Sequence, residues 1–532
     1  MVYLHLELDA DAKAPLYSQI YQQIRDTILA GELPVGTRLP ASRQLAQAYG
    51  LARITVTQAY NQLNTEGYVN RRRGAGTFVS ENLPLRPLLN RTVAAPSRDA
   101  PQLSQWGRRV TAQSVGRTVS RSNQAEIDFS FGRPLRQIFP YDVWRRLLAR
   151  YLSTDDTILS RYGSAAGFMP LRRAVADYLQ RMRGVTCTPE QVIIVSGIQQ
   201  AVDIIARLLL NPKSEVLVES PGYVNAYDLL RVHGAQLVPL RVDDNGLPTQ
   251  RLPQETSARL VFTTPANQFP HGGAMPLARR LELLHWAQRH GAYIIEDDYD
   301  GELRYRGRPI AALQGLDTEQ RVIYLGSFSK VLFPALRLGY VVLPPALVDP
   351  FVETKKLIDR GAPTLTQAAV TDFIVEGHFE RHLRRLRKAY GERRQALVHA
   401  LERHLPPTLG CYVDEPAGLH IMYYFNQPLD EEALVRRAAD AGLALYTGAR
   451  YHLTPPLSPS ILLGFSGLNP EEIDQGIARL AQVLRDMGAF GDNRHARGHA
   501  PHGNSNNGRG PHHANGHGAP QNGISASSPA RR

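Results

Sequence analysis

Gly326-Ser327-Phe328-Ser329-Lys330, with Arg337 seven residues beyond the lysine, decides how the larger part of this chain is read. A lysine stands just after small hydroxyl residues, and an arginine follows one short loop later. Such a set can hold an aldehyde as a Schiff base while gripping a phosphate. Pyridoxal 5'-phosphate (PLP) needs both. Some thirty residues upstream, Glu296-Asp297-Asp298-Tyr299 ends the apolar run Ala292-Tyr293-Ile294-Ile295. A carboxylate at the end of a buried strand, Asp297, suits a pyridine nitrogen. A phenol two residues on, Tyr299, suits the ring hydroxyl.

Working outward, β-branched apolar runs alternate with amphipathic helical patterns from Ile127 to about Met487. Gln191–Val195, Glu215–Val218, Arg259–Phe262, Tyr293–Ile295 and Val322–Leu325 are continuous rather than alternating. Strands of that kind belong to a sheet covered on both faces, hence an α/β fold with mainly parallel strands. Helical patterning from about Thr366 to Ala400 leads into a smaller α+β segment. The expected organisation has four parts: a helical N-terminal domain over 1–80, a flexible basic linker over 81–126, the α/β domain over 127–490 with a small subdomain from about 400, and a disordered tail over 491–532.

The formal net charge of +12 is unevenly placed. Residues 1–80 carry 8 Lys/Arg and 6 Asp/Glu, residues 81–125 carry 7 Arg and 2 acids, and the tail from 492 carries 5 Arg and 1 acid. The excess therefore lies in the linker and tail, which suits salt-sensitive attraction to nucleic acid; basic linkers that only aid solubility are the alternative. Two cysteines, Cys187 and Cys411, are too few for a disulfide framework and point to a reducing cytoplasm. No apolar run is long enough to span a membrane, and no spaced ligand set suggests a metal.

In the first eighty residues, Leu16, Ile20, Ile24 and Ile28 mark one face of a helix, which Gly31 stops. A second helix is expected from Leu39-Pro40-Ala41-Ser42-Arg43 to Ala48, capped by Ser42 or a neighbour. Tyr49-Gly50-Leu51 turns the chain, and a third helix starts near Arg53 and runs to Leu63. Two short helices around a glycine turn fit a helix-turn-helix whose second helix enters the major groove. Gly67 to Val79 reads as a β-hairpin wing carrying Arg71, Arg72 and Arg73 with Gly74 and Gly76 at its tip. The stretch from Ser18 to Val69, followed by Gly74-Ala75-Gly76-Thr77-Phe78-Val79, resembles the winged-helix domain of the GntR family of bacterial regulators. That resemblance implies operator contacts at Arg43, at Arg53 and Thr55 of the recognition helix, and at Gly74 of the wing. Thr57, where some members have arginine, and Arg73 complete the expected DNA-facing set.

Residues 126–490 resemble the fold-type I aminotransferases. Gly197-Ile198-Gln199, between a strand and a helix N-terminus, matches their phosphate cradle. Tyr223, after Pro221-Gly222, matches the tyrosine that lies on the pyridine ring. The resemblance gives Lys330 the covalent bond to PLP and makes it the catalytic residue; desolvation and Arg337 are expected to lower its pKa. Ser327, Ser329 and Arg337 would hold the phosphate. Tyr162 matches a tyrosine that reaches the other subunit's phosphate, which implies a homodimer. Two departures stand out. Phe269 occupies the place before Pro270 where the family has an asparagine for the ring oxygen, leaving Asn267 as substitute. Leu462, in Leu462-Leu463-Gly464-Phe465-Ser466, replaces the arginine that grips a substrate α-carboxylate. Arg450 and Arg133 remain as candidates for that anion.

Both halves together resemble the MocR subfamily of GntR regulators. The resemblance implies a cytoplasmic, PLP-responsive regulator of vitamin B6 or amino-acid and nitrogen metabolism that binds double-stranded DNA and takes an amino acid as possible effector. Transamination is expected to be weak or absent. The alternative is a genuine PLP aminotransferase tethered to DNA.

Overall fold

The computed structural model describes residues 4–81, 102–114, 125–133, 135–153 and 160–490. The expected disordered tail and most of the linker lie outside the described residues. The chain divides into two compact units, 1–102 and 103–532.

In the first unit the four apolar residues spaced along α1 (Leu16–Leu29) give it one buried stripe, Ile20, Ile24 and Ile28 with Tyr21 beside them. It closes on α2 (Ser42–Ala48) and α3 (Arg53–Thr65) through Leu45, Val56, Tyr60 and Leu63. Ser42 is the first residue of α2 rather than its cap; Ala41 precedes it, and Gln44 Oε1 accepts from the Ala41 amide at 3.3 Å. Strands β1 (Val69–Arg72) and β2 (Gly76–Val79) pair antiparallel, with Val69 and Val79 anchored in the core and the arginines exposed.

The stretch expected to be a flexible linker contains a helix, α4 (Gln105–Ser114), which belongs to the second unit. Its Arg109 Nη1 donates to the Val232 carbonyl at 3.3 Å. The guanidinium lies against Gly234, with Nη1 2.8 Å from where a Cβ would stand.

The second unit is built on a seven-stranded sheet. Its strands are β3 (Val192–Val195), β4 (Glu215–Ser220), β5 (Gln236–Arg241), β6 (Leu260–Thr263), β7 (Tyr293–Asp298), β8 (Val322–Ser327) and β9 (Gly339–Val342). The order across the sheet is β3-β9-β8-β7-β6-β4-β5. Only β9 runs antiparallel to its neighbours. Period-two alternation sends Val216, Val218, Phe262 and Ile295 to one face, against α5 (Ile198–Leu209) and α6 (Val224–Val232). Leu217, Val261 and Ile294 face the other way, against Leu283 and Trp286 of the helix Leu277–His290. Both faces are covered, which is why the strands read as continuous apolar runs.

The long helix α7 (His378–His404) leads to a four-stranded antiparallel sheet centred on β10 (His420–Phe425) and β11 (Ser460–Gly464). Helix α8 (Pro470–Asp486) packs on α7. The carboxyl ends of β3, β7 and β8 open on one side of the large sheet, the side where parallel α/β sheets bind ligands.

Candidate cofactor site and DNA-reading surface

Three chain reversals at those carboxyl ends bring distant residues together. After β3, Gly197 adopts φ +112° and starts α5, whose first turn has no side-chain cap, so its N–H groups point to open space. Across from it Arg337 sits in the left-handed region at φ +48°, a strained setting for a non-glycine residue. A Cβ on Gly197 would stand 3.3 Å from Arg337 Nη2, so the bare glycine lets guanidinium and helix N-terminus form one anion cradle. The Ser329 amide donates to Ser327 Oγ at 3.1 Å and fixes the loop before the lysine.

One cavity of about 220 Å³ is lined by Gly197, Ile198, Gln199, Tyr223, Asp297, Tyr299, Ser327, Ser329, Lys330 and Arg337, together with Phe131, Phe269 and Pro334. Lys330 is held over Phe131, its Nζ 4.2 Å from the ring centroid. Its amine also lies against bare Gly132, where a Cβ would be 2.2 Å away. Burial lowers the Lys330 pKa, while the carboxylates of Asp300 and Asp297 act to raise it. The expected help from Arg337 is absent: desolvation does the lowering, and the charges Lys330 feels are negative.

Asp297 is buried, and burial first, then Asp298 and Glu219, push its carboxyl up to about 8. Its Oδ1 has no hydrogen-bond partner among the described residues. An acid kept in an apolar wall with one oxygen unsatisfied fits a protonated ring nitrogen. That orphaned oxygen and the glycine-floored cradle line one cavity and together fit PLP. The group supplies an electron-withdrawing ring and an aldehyde to the amine held at Lys330.

Other expected residues fall elsewhere. Asn267 does not line the cavity. Its amide donates to Tyr299 Oη at 3.1 Å and to Asp300 Oδ2 at 2.9 Å, so it orients the phenol. Tyr162 is exposed, with the Arg360 guanidinium 5.8 Å from its ring centroid. Arg133 is paired with Asp128, and Arg450 lies over Tyr446 and Tyr451; neither lines the cavity. Leu462 is fully buried in an apolar cluster with Phe269, Tyr299, Met422 and Tyr451. Phe269 touches Phe131, Tyr223, Tyr299, His420 and Tyr451 edge-on or tilted, with centroids 5.2–5.9 Å apart. The floor where an arginine and an asparagine were missing is therefore largely aromatic and apolar. Phe131, Pro334 and His420 were not read from the sequence. Phe131 and Pro334 adjoin noticed motifs, but His420 lies far along the chain and only folding brings it in.

In the first unit, Arg43 and Arg53 are exposed at the starts of α2 and α3, Thr55 is half-buried, and Arg73 and Gly74 are exposed at the wing tip. Among the described residues, Arg43, Arg53, Arg71 and Arg73 form no ion pair, whereas Arg72 is paired with Glu81 at 2.9 Å. Thr57 Oγ1 donates to the Arg53 carbonyl at 2.8 Å. Ile54, 75% exposed beside Arg53, is an apolar group free to meet a thymine methyl.

Residues 16–79 match the family described as bacterial regulatory proteins, gntR family, and residues 126–480 match aminotransferase class I and II. The probable rhizopine catabolism regulatory protein MocR of Rhizobium meliloti is 41% identical over 489 residues, covering 91% of this chain and 97% of the relative. The chain belongs to the MocR type of GntR-family transcription regulators. Another such regulator, the pyridoxine biosynthesis regulator PdxR of Corynebacterium glutamicum, is 29% identical over 90% of this chain and 98% of its own length. The Pyrococcus horikoshii kynurenine aminotransferase structure aligns with a TM-score of 0.66 at 29% identity, covering 70% of this chain and 96% of that one. The aminotransferase structure thus covers 70% of this chain, while the MocR and PdxR regulators cover 91% and 90% of it. The alternative of an aminotransferase tethered to DNA gives way on that ground. Among the described residues, no helix is long and apolar enough to cross a membrane.

The buried carboxyls of this MocR-type domain carry a pH signature. Burial holds Asp297 up to about 8 and Glu296 and Glu302 up to about 7. In the unfolded chain such groups ionise near pH 4 (about 3.9–4.3). Between those limits the native state binds more protons. The stability they contribute is full below about pH 4 and lost as pH rises through about 7–8. Melting curves of cofactor-free protein should fall across this window, and Asp297→Asn should flatten the upper end. Parallel curves for both proteins would refute the burial of an acid at 297.

Proposed function

We propose that this protein is a homodimeric, cytoplasmic regulator that holds PLP covalently on Lys330 and changes its operator binding or transcriptional output with the cofactor. Tyr162 would reach the partner subunit's phosphate site from its exposed position. Asp297 would hold the ring nitrogen and Tyr299 the ring oxygen. Gly197, Ile198, Gln199, Ser327, Ser329 and Arg337 would hold the phosphate, and Tyr223 would lie on the ring. The genes controlled would be those of vitamin B6 or amino-acid and nitrogen metabolism, in keeping with MocR as a probable regulator of rhizopine catabolism and PdxR as a regulator of pyridoxine biosynthesis. The carrying observation is the single cavity that joins a desolvated lysine, an orphaned buried carboxyl oxygen and a glycine-floored cradle. The test is footprinting and in vitro transcription with and without PLP and candidate amino acids. Identical footprints and transcripts in every case would leave the cofactor without a regulatory role.

Turnover should be poor. Productive transamination needs the α-carboxylate gripped so that the Cα–H bond stands across the ring. Leu462 offers no bidentate donor, and its apolar surroundings would leave such an anion desolvated. An amino acid held by Arg450 or Arg133 would bind as an effector rather than react. Rates for a panel of amino-acid and keto-acid pairs should fall well below about 1 per second. A pair at or above that rate would overturn the expectation.

A further inference from the structure

The run Arg384-Arg385-Leu386-Arg387-Lys388-Ala389-Tyr390-Gly391-Glu392-Arg393-Arg394 lies in the middle of α7. Arg387, Gly391 and Arg394 recur at spacings of four and three, so they share one helix face. That face forms one wall of a second cavity, about 330 Å³, which shares no residue with the cofactor site. Arg306 and Lys388 stand at its exposed rim, and Tyr305 closes it from the loop that follows β7.

The charge inside is one-sided. Arg306, Arg387, Lys388 and Arg394 line the cavity against a single carboxylate, Asp414. Asp414 is already committed, accepting from Arg394 Nη2 at 2.6 Å. Arg394 is only 8% exposed, and its Nε is buried with no hydrogen-bond partner among the described residues. Arg387 Nε donates to the Glu302 carbonyl at 2.6 Å, while its buried Nη2 likewise has no partner. Guanidinium donors left without acceptors are costly, and cations facing one another across a concave space repel. Glycine is a poor helix-interior residue, yet Gly391 sits on this wall and leaves it free of a side chain. A Cβ there would make only ordinary contact with Tyr305, at 3.6 Å, so packing alone does not require the glycine.

We infer that this cavity is a second ligand site, which binds a small, multiply charged anion through phosphate or carboxylate groups. Two features favour a small molecule over a polymer backbone: the site is concave, and one guanidinium is buried within it. The Arg387 bond to the Glu302 carbonyl ties this wall to the loop that follows β7. The Leu303 amide donates to the Asp300 carbonyl at 2.7 Å, and Asp300 and Tyr299 share the Asn267 amide.

The test is calorimetric titration of the full-length protein, in a phosphate-free buffer, with inorganic pyrophosphate and separately with citrate. Wild type should bind at least one of them saturably, and the arm that binds tells phosphate from carboxylate chemistry. Arg394→Gln, and the exposed pair Arg306→Gln with Lys388→Gln, should each weaken binding by about tenfold or more. Loading the protein with PLP beforehand, which fills the phosphate cradle of the cofactor cavity, should leave this binding unchanged. If Arg394→Gln fails to fold, the exposed pair decides. Absence of saturable binding for both anions, wild-type affinity in the pocket variants, or loss of the binding on PLP loading would each overturn the inference.

Discussion

Lys330→Ala is expected to abolish covalent cofactor capture while leaving the protein folded. The wild type should be yellow. After borohydride reduction it should carry the cofactor's mass on the peptide containing Lys330; the variant should carry none. The effect is all-or-none because the bond needs an uncharged primary amine, and burial lowers the pKa of this one toward that state. The fold should survive because the side chain projects into an existing cavity, along Phe131 and over bare Gly132. Truncation enlarges an opening rather than leaving a void in a packed core. Intact mass after reduction, together with circular dichroism, separates the two outcomes. Cofactor mass retained on the Lys330→Ala protein would place the attachment elsewhere.

Arg53→Ala should weaken operator binding by about 1–3 kcal/mol, roughly five- to 150-fold. Arg53 opens α3, is exposed, and forms no ion pair among the described residues, so its charge is available to DNA. If its contact is to a phosphate, the slope of log affinity against log salt should also fall by about 1. Thr57→Ala should cost less, because the Thr57 hydroxyl already donates to the Arg53 carbonyl within the helix. Cofactor content should be unchanged, since the cavity lies in the other compact unit. A salt titration in which Arg53→Ala and wild type superimpose would remove α3 from the DNA interface.

Much of this protein was legible in its residues. Local chemistry fixes local form: the stripe Leu16, Ile20, Ile24, Ile28 can only be one face of a helix. Likewise the repeated short, continuous apolar runs such as Tyr293-Ile294-Ile295, alternating with helical patterns, suit strands of a sheet covered on both faces. The order of short motifs around Gly197, Tyr223, Asp297, Lys330 and Arg337 sufficed to propose one pocket, because the first four end parallel strands and Arg337 leads into the antiparallel β9 at the same edge of the sheet. Interactions between residues far apart in sequence were not legible. Whether Asn267 meets the ring or orients Tyr299 depends on a loop 30 residues away. The apolar seat of Leu462 is made by β10, β11 and Phe269 together, and periodicity within β11 says only that the residue is buried. The linker helix α4 owes its place to Arg109 and Gly234, more than 120 residues apart, while its own sequence is polar enough to read as coil. Three of the four cations of the second cavity, Arg387, Lys388 and Arg394, lie on α7, and helical periodicity alone says nothing of what covers them. Only the fold brought Arg306 and Tyr305 over them and buried Arg394, because desolvation, unlike periodicity, is set by what packs from elsewhere in the chain.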